Sequence, residues 1–142
     1  MEARSWGSMQ ELRDGELMKR PSIKALSNRC MGLWRQIVAY NKTTCEWCHM
    51  PSMVFQAHHV VTKGSSCALR FEPENGVYLC KGCHFKVHNF GYLDFSEWFL
   101  KNHAERWERL KLRKYNHFKM NKGNLELTEM KLKQELDELC QQ

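Results

Sequence analysis

From Pro21 onward the chain shows a sustained apolar stripe: Ile23, Leu26, Cys30, Leu33, Trp34, Ile37 and Val38 recur at three- and four-residue spacing. That period predicts an amphipathic helix ending before "NKTTC" and packing on whatever follows. Residues 1–20 are polar and show no sustained period, which predicts a flexible arm. "MVFQAHHVV" (53–61) and "GVYLC" (76–80) are β-rich and predict two strands of a hairpin, with "TKGSS" a turn or loop between them. A helix is expected to open at the next cysteines and run to about Asn89, with Gly91 as its stop.

Further along, Asp94 and Glu97 have capping-box spacing and predict one longer helix carrying Phe95, Trp98, Phe99, Trp107 and Leu110. "MNKGN" breaks it, and Thr128 is the expected cap of a last helix bearing Met130, Leu132, Leu136 and Leu139. No internal repeat or low-complexity tract interrupts the pattern. The division that follows is an arm (1–20), an N-terminal helix with a compact core (21–92) and a helical basic and amphipathic extension (93–142).

Charge adds a direction to this layout. Lys plus Arg number 22 against 16 Asp plus Glu, and residues 101–122 alone carry eight basic side chains against Glu105 and Glu108. Such a block fits either a polyanionic partner or a solvated helix face. No run reaches the length of a membrane span, and the first residues lack the charged start and apolar stretch of a signal peptide. A cytoplasmic protein with no membrane partner is therefore expected.

A reducing compartment turns the seven cysteines away from disulfides and toward metal. "CEWC" (Cys45, Cys48) and "CKGC" (Cys80, Cys83) are two Cys-x2-Cys pairs separated by thirty-one residues. Two chelating pairs suit the tetrahedral preference of structural zinc, and the spacer leaves room for a hairpin; the other use of such residues is as buried apolar thiols. Cys30, Cys67 and Cys140 fall outside the scheme and read as free thiols. "CKGCH" alone also has the spacing of haem attachment, which the second pair and the absence of an export signal disfavour.

Four of the seven histidines lie between residues 58 and 88. His84 and His88 are four apart on the expected helix and share a face, and a hairpin packed over that helix brings His58 to the same place. Three imidazoles with open positions make a catalytic kind of site, distinct from a closed four-cysteine one. Isolated surface or core histidines are the alternative.

The "HH" pair, Asn75 five residues ahead of Cys80, and "LCKGCHFKVH" together resemble the His-Asn-His (HNH) endonucleases, specifically their four-cysteine zinc type. The resemblance covers roughly residues 45–90. It implies an α+β fold: a small ββα-metal, treble-clef-like core stabilised by zinc and flanked by α-helices. A weaker similarity, carried by "VVTKGSSCALRFEPENGVYLCKGCH" and the basic then amphipathic C-terminal part, extends to the lambdoid phage NinG (Rap) recombination nucleases, which act on branched DNA.

The resemblance implies a metal-dependent DNA endonuclease, a phosphodiester hydrolase. His58, His84 and His88 would hold one catalytic divalent ion (Mg²⁺, Mn²⁺ or Zn²⁺), His59 would be the general base, and Asn75 would brace the loop and the base. Cys45, Cys48, Cys80 and Cys83 would hold structural Zn²⁺. Lys63, Arg70, Lys81 and Lys86 flank this site, while Arg109, Lys111, Arg113 and Lys114 offer a second surface; all are expected on DNA phosphates, where contacts give affinity without sequence choice. Trp98, Trp107 and Tyr115 are available for stacking on unpaired bases or for the core.

The expected partner is DNA, including branched or junction DNA from recombination in a phage-infected or bacterial cytoplasm, and the last helix could support a homodimer. The competing classes are a non-catalytic zinc-finger module that binds nucleic acid, a zinc-stabilised protein adaptor, and a sequence-specific homing or restriction-type HNH nuclease.

Overall fold

The computed structural model describes residues 20–142, so the expected arm falls almost entirely outside it. The described residues form a mixed α+β structure of five α-helices and a two-stranded antiparallel sheet. Helix α1 spans Ile23–Ala39, β1 Phe55–His59, a 3-10 turn Pro73–Asn75, β2 Gly76–Cys80, α2 Lys81–Asn89, α3 Tyr92–Asn102, α4 Ala104–Arg113 and α5 Lys122–Cys140. No described helix is long and apolar enough to cross a membrane.

Helix α1 starts where Ser22 accepts a hydrogen bond from the Ala25 N–H at 3.1 Å, supplying one of the donors a helix N-terminus leaves unpaired. Its buried face is Leu26, Cys30, Met31, Trp34, Ile37 and Val38: Met31 joins the expected stripe, Leu33 is only partly buried and Ile23 is exposed. That face packs on α5, whose Leu125 and Leu132 are buried in the same cluster with Phe71, while Leu136 and Leu139 pack at its edge. The buried Cys30 thiol donates to the Leu125 carbonyl at 3.4 Å and ties the two helices. Much of the apolar face of the last helix is thus used within the chain; Leu127 and Met130 remain exposed.

The hairpin pairs Phe55 with Cys80, His58 with Val77 and His59 with Gly76. Gly76 is demanded by close approach: a Cβ there would sit 2.2 Å from Val38 Cγ2 and 2.8 Å from Trp34 Cζ2. Its lack of a side chain lets α1 lie directly on the hairpin and sets Trp34 beside Gly76's strand partner, His59. A second core cluster gathers Cys45, Val60, Val61, Leu69, Val77, Leu79, Val87, Phe95, Phe99 and Leu110, beneath the cysteine loop and helices α2 to α4.

Several local expectations are corrected. The first strand is confined to Phe55–His59, within the wider 53–61 run. Gly91 follows the end of α2 at Asn89 as expected, its N–H donating to the Lys86 carbonyl at 2.7 Å, but its φ is −109° rather than left-handed and it also stands at the N-cap of α3. No capping box forms at Asp94 and Glu97: α3 has no side-chain cap, and Asp94 instead lies 3.5 Å from the Lys86 ammonium. The single long helix is two, broken at His103 (φ −135°, ψ 43°), whose ring packs on Trp98 and Phe99. The bend keeps both Phe99 and Leu110 in one core, which a straight helix of that length would carry apart. Finally, α5 starts earlier than Thr128. Asn121 caps it, accepting from the Asn124 N–H at 2.8 Å, and Thr128 lies inside the helix, where its hydroxyl donates to the Asn124 carbonyl.

Candidate metal centres

The loop after α1 folds back at Asn41 and His49, both with positive φ (54° and 59°), and is closed by a bridge between Thr44 and Pro51. This brings Cys45 and Cys48 against Cys80, the N-cap of α2, and Cys83 in its first turn. The four sulfurs lie within 4.8 Å of one another. The Cys48 and Cys80 sulfurs are 3.9 Å apart, close to the ~3.8 Å edge of a tetrahedron with Zn–S bonds near 2.3 Å. The four cysteines therefore form a cluster able to hold a zinc ion.

Its electrostatics favour a cation. Burial works against ionising Cys45, but the backbone N–H groups of Cys48, Cys80 and Trp47 outweigh it and bring the thiol down to about 7. Cys83 is pushed strongly up, first by burial and then by the neighbouring sulfurs. One thiolate forms easily while Cys48 and Cys83 resist added negative charge, a conflict that a bound divalent cation removes.

The second group is His58 from β1 with His84 and His88 from α2, whose nitrogen atoms also lie within 4.8 Å of one another. The Nε2 atoms of His84 and His88 are 3.2 Å apart, inside the roughly 3.0–3.4 Å range expected of two imidazoles sharing one ion at about 2.1 Å. His58 is only 6% exposed, and Phe95 of α3 packs edge-on against its ring. Burial, then the charges of His88, His84 and His59, lowers its pKa to about 3; burial and His88 lower that of His84. Both are thus held as neutral imidazoles, the form that donates a lone pair to a metal.

His59 points the other way from the strand. Its ring stacks on the Trp34 indole, 4.0 Å between centroids and 11° from parallel, and its Nε2 lies 2.8 Å from the Arg70 carbonyl. A carbonyl only accepts, so Nε2 carries the proton and Nδ1 keeps the lone pair. Burial lowers the His59 pKa, opposed by the Arg70 carbonyl and aided by Lys63, Arg70 and Arg35.

Asn75 is fully buried. Its Oδ1 accepts from the Val61 N–H at 2.7 Å, and its Nδ2 donates to the carbonyls of Val61 at 2.8 Å and Leu69 at 3.0 Å. It fastens the segment that follows His59 to the one that precedes Arg70, and so fixes the frame of His59 without touching its ring.

One groove of about 670 Å³ collects His58, His59, His84 and His88 with Trp34, Arg35 and Lys63. Among the described residues, Arg35 and Lys63 enter no ion pair. Other expected phosphate contacts are already engaged within the chain. Arg109 pairs with Glu74 at 2.7 Å, Arg113 with Glu72 and Lys111 with Glu108, while Lys86 lies near Asp94 and over the Trp47 ring. Arg70 is half-buried with its Nε unpartnered, Lys81 is exposed, and the Lys114 ammonium lies over Tyr115.

Four residues of the site were not singled out by sequence pattern for the roles they hold. Trp34 reads as one more core position on the α1 stripe, and no sequence pattern singles out Arg35 or Glu46. Glu46 accepts from the Tyr78 N–H and from Lys42, clamping the cysteine loop to β2. Arg106 donates to the carbonyls of Glu74 and Gly76, on either side of Asn75. Only its place in a basic helix was visible.

Fold and site together define a mixed α+β protein with a four-cysteine cluster suited to zinc and a separate histidine cluster on its hairpin and adjoining helix. No protein-family model, curated protein or solved structure matches the chain.

Proposed function

We propose that this chain is a metal-dependent DNA endonuclease of the HNH type. The observation that carries the proposal is the convergence of His58, His84 and His88 in one groove with His59, whose Nε2 is occupied and whose Nδ1 is free, apart from the cysteine cluster. A purely structural zinc module needs only the cysteines. It has no use for three imidazoles gathered beside a fourth that is held in one tautomer.

His58, His84 and His88 would hold the divalent ion. Bound there, it supplies Lewis acidity to the phosphate and to the departing 3′ oxygen. His59 does the proton work: Nδ1 takes the proton of a water whose oxygen attacks phosphorus as the bond to the 3′ oxygen breaks. The Arg70 carbonyl and the Trp34 ring hold His59 in that tautomer and orientation, and its lowered pKa keeps it unprotonated near neutrality. Asn75 keeps the loop beneath it in place. Arg35 and Lys63 receive flanking phosphates as unpaired cations on the groove wall. The products are a 5′-phosphate and a 3′-hydroxyl.

The test is incubation of the purified protein with linear duplex, single-stranded, flapped and four-way DNA, with Mg²⁺, Mn²⁺, Zn²⁺ or chelator. Strand scission that needs an added ion is expected. DNA binding without scission under every ion would instead identify a zinc-stabilised binding module.

A further inference from the structure

A second cavity, of about 280 Å³, lies beside the histidine groove and shares Thr62 with it. Its walls are Tyr92 at the start of α3, Trp107 on α4 and Tyr115 after α4, with Lys111 and Lys114 at its edge. The partition between the two cavities is the Val60–Thr62 segment, which Asn75 pins through the N–H and carbonyl of Val61. The far side is fixed as well: the buried hydroxyl of Ser66 donates to the Lys114 carbonyl at 2.7 Å and accepts from the Leu69 N–H at 3.3 Å. The turn that presents Tyr115 is therefore fastened to the loop that borders the groove.

The chemistry of this cavity is selective. Three aromatic rings line it, and Tyr92 and Tyr115 are 54% and 85% exposed, more than core packing requires. The Lys114 ammonium stands 5.3 Å from the Tyr115 ring centroid, so a cation accompanies the stacking surface. The volume sits at the small end of ligand pockets, suited to one planar heterocycle. Aromatic faces with adjoining lysines are how proteins hold unpaired bases and their phosphates without reading sequence.

We infer that this cavity is a subsite for one unpaired nucleotide of a DNA strand whose neighbouring phosphate lies in the histidine groove. The base stacks among Tyr92, Trp107 and Tyr115, and its phosphate meets Lys114, which enters no ion pair among the described residues. A fully paired duplex cannot place a base there, so the subsite makes the protein favour DNA with a bulged, flapped or branch-point nucleotide. The inference rests on the nuclease proposal for what lies in the groove, and on the cavity itself for the base.

The test compares two duplexes that differ only in a single-nucleotide bulge of 2-aminopurine, bound to full-length protein carrying His59→Ala so that no strand is cut. Tyr115→Ala in that background should bind the bulged duplex about tenfold more weakly, leave affinity for the paired duplex unchanged, and lose the stacking quench of 2-aminopurine; Tyr115→Phe should restore all three. Because Tyr115 is so exposed, its truncation leaves the core intact. Equal effects of Tyr115→Ala on both duplexes, or none on either, would overturn the subsite. With His59 restored, discrimination without cleavage of any DNA would reject the nuclease proposal and support the subsite. Cleavage without discrimination would reject the subsite alone.

Discussion

The imidazole of His59 lies flat on the indole of Trp34, 4.0 Å between ring centroids, and the same indole donates from Nε1 to the Glu72 carbonyl at 2.8 Å. One buried tryptophan on α1 thus fixes both the proposed base and the segment leading to Asn75. Trp34→Phe keeps a ring under His59 but strands the Glu72 carbonyl, a cost of about 1–3 kcal/mol, with cleavage reduced less than tenfold. Trp34→Leu removes the stack as well and should lower single-turnover cleavage well beyond the Phe variant. Urea denaturation and single-turnover rates separate the two effects; equal rates in both variants would reduce the stack to packing.

Zinc at the cysteine cluster is expected to be part of the fold. The cluster joins the loop after α1 to the N-terminus of α2, so its metal contributes folding free energy directly. Cys45→Ser should lose one equivalent of zinc and the cooperative thermal transition. Full zinc content with an unchanged melting temperature would remove Cys45 from the ligand set.

His58 makes stability depend on pH with a definite sign. Its pKa falls from an ordinary 6.5 to about 3 in the folded chain, so between those values the unfolded state binds the extra proton. The stability it contributes is complete above about pH 6.5 and is lost as acid drives the pH down toward the folded value. From pH 7.5 to 5.5 this group alone should cost about 1 kcal/mol. Thermal or denaturant unfolding across that interval should show a shallower fall in His58→Gln than in the parent, measured without added second-site metal.

Salt dependence distinguishes free from committed cations. Arg35 and Lys63 line the groove unpaired, whereas Arg109 and Arg113 are held by Glu74 and Glu72. Arg35→Ala and Lys63→Ala should each reduce the slope of log affinity against log salt by about one. Arg109→Ala should change it little, and fluorescence anisotropy over a salt series reads the difference.

What was legible in the chain follows from the range of the interactions involved. Helix α1, the second strand and the helix carrying His84 and His88 stand where local patterns put them, and the first strand is a shortened form of its run. The cysteine cluster was legible because paired spacing constrains geometry whatever lies between. Helix ends were less so: Thr128 is as good a cap as Asn121 by composition, and only the packing of Leu125 against α1 draws α5 further toward its N-terminus. The break at His103 has no local signal either, since neither Pro nor Gly marks it; it is imposed by where Phe99 and Leu110 must pack. Trp34 under His59, and Arg106 bracing both sides of Asn75, are contacts across 25 and more residues, and no local spacing encodes them.

The central claim is that His59 is the base of a metal-dependent strand cleavage, and the most direct measurement is single-turnover cleavage of flapped DNA by His59→Ala beside the parent under saturating Mg²⁺ or Mn²⁺. Loss of a general base predicts a rate lower by about 10²–10⁴, with zinc content, melting temperature and DNA affinity near those of the parent. Undiminished cleavage by His59→Ala, or none by the parent under any ion, would contradict it.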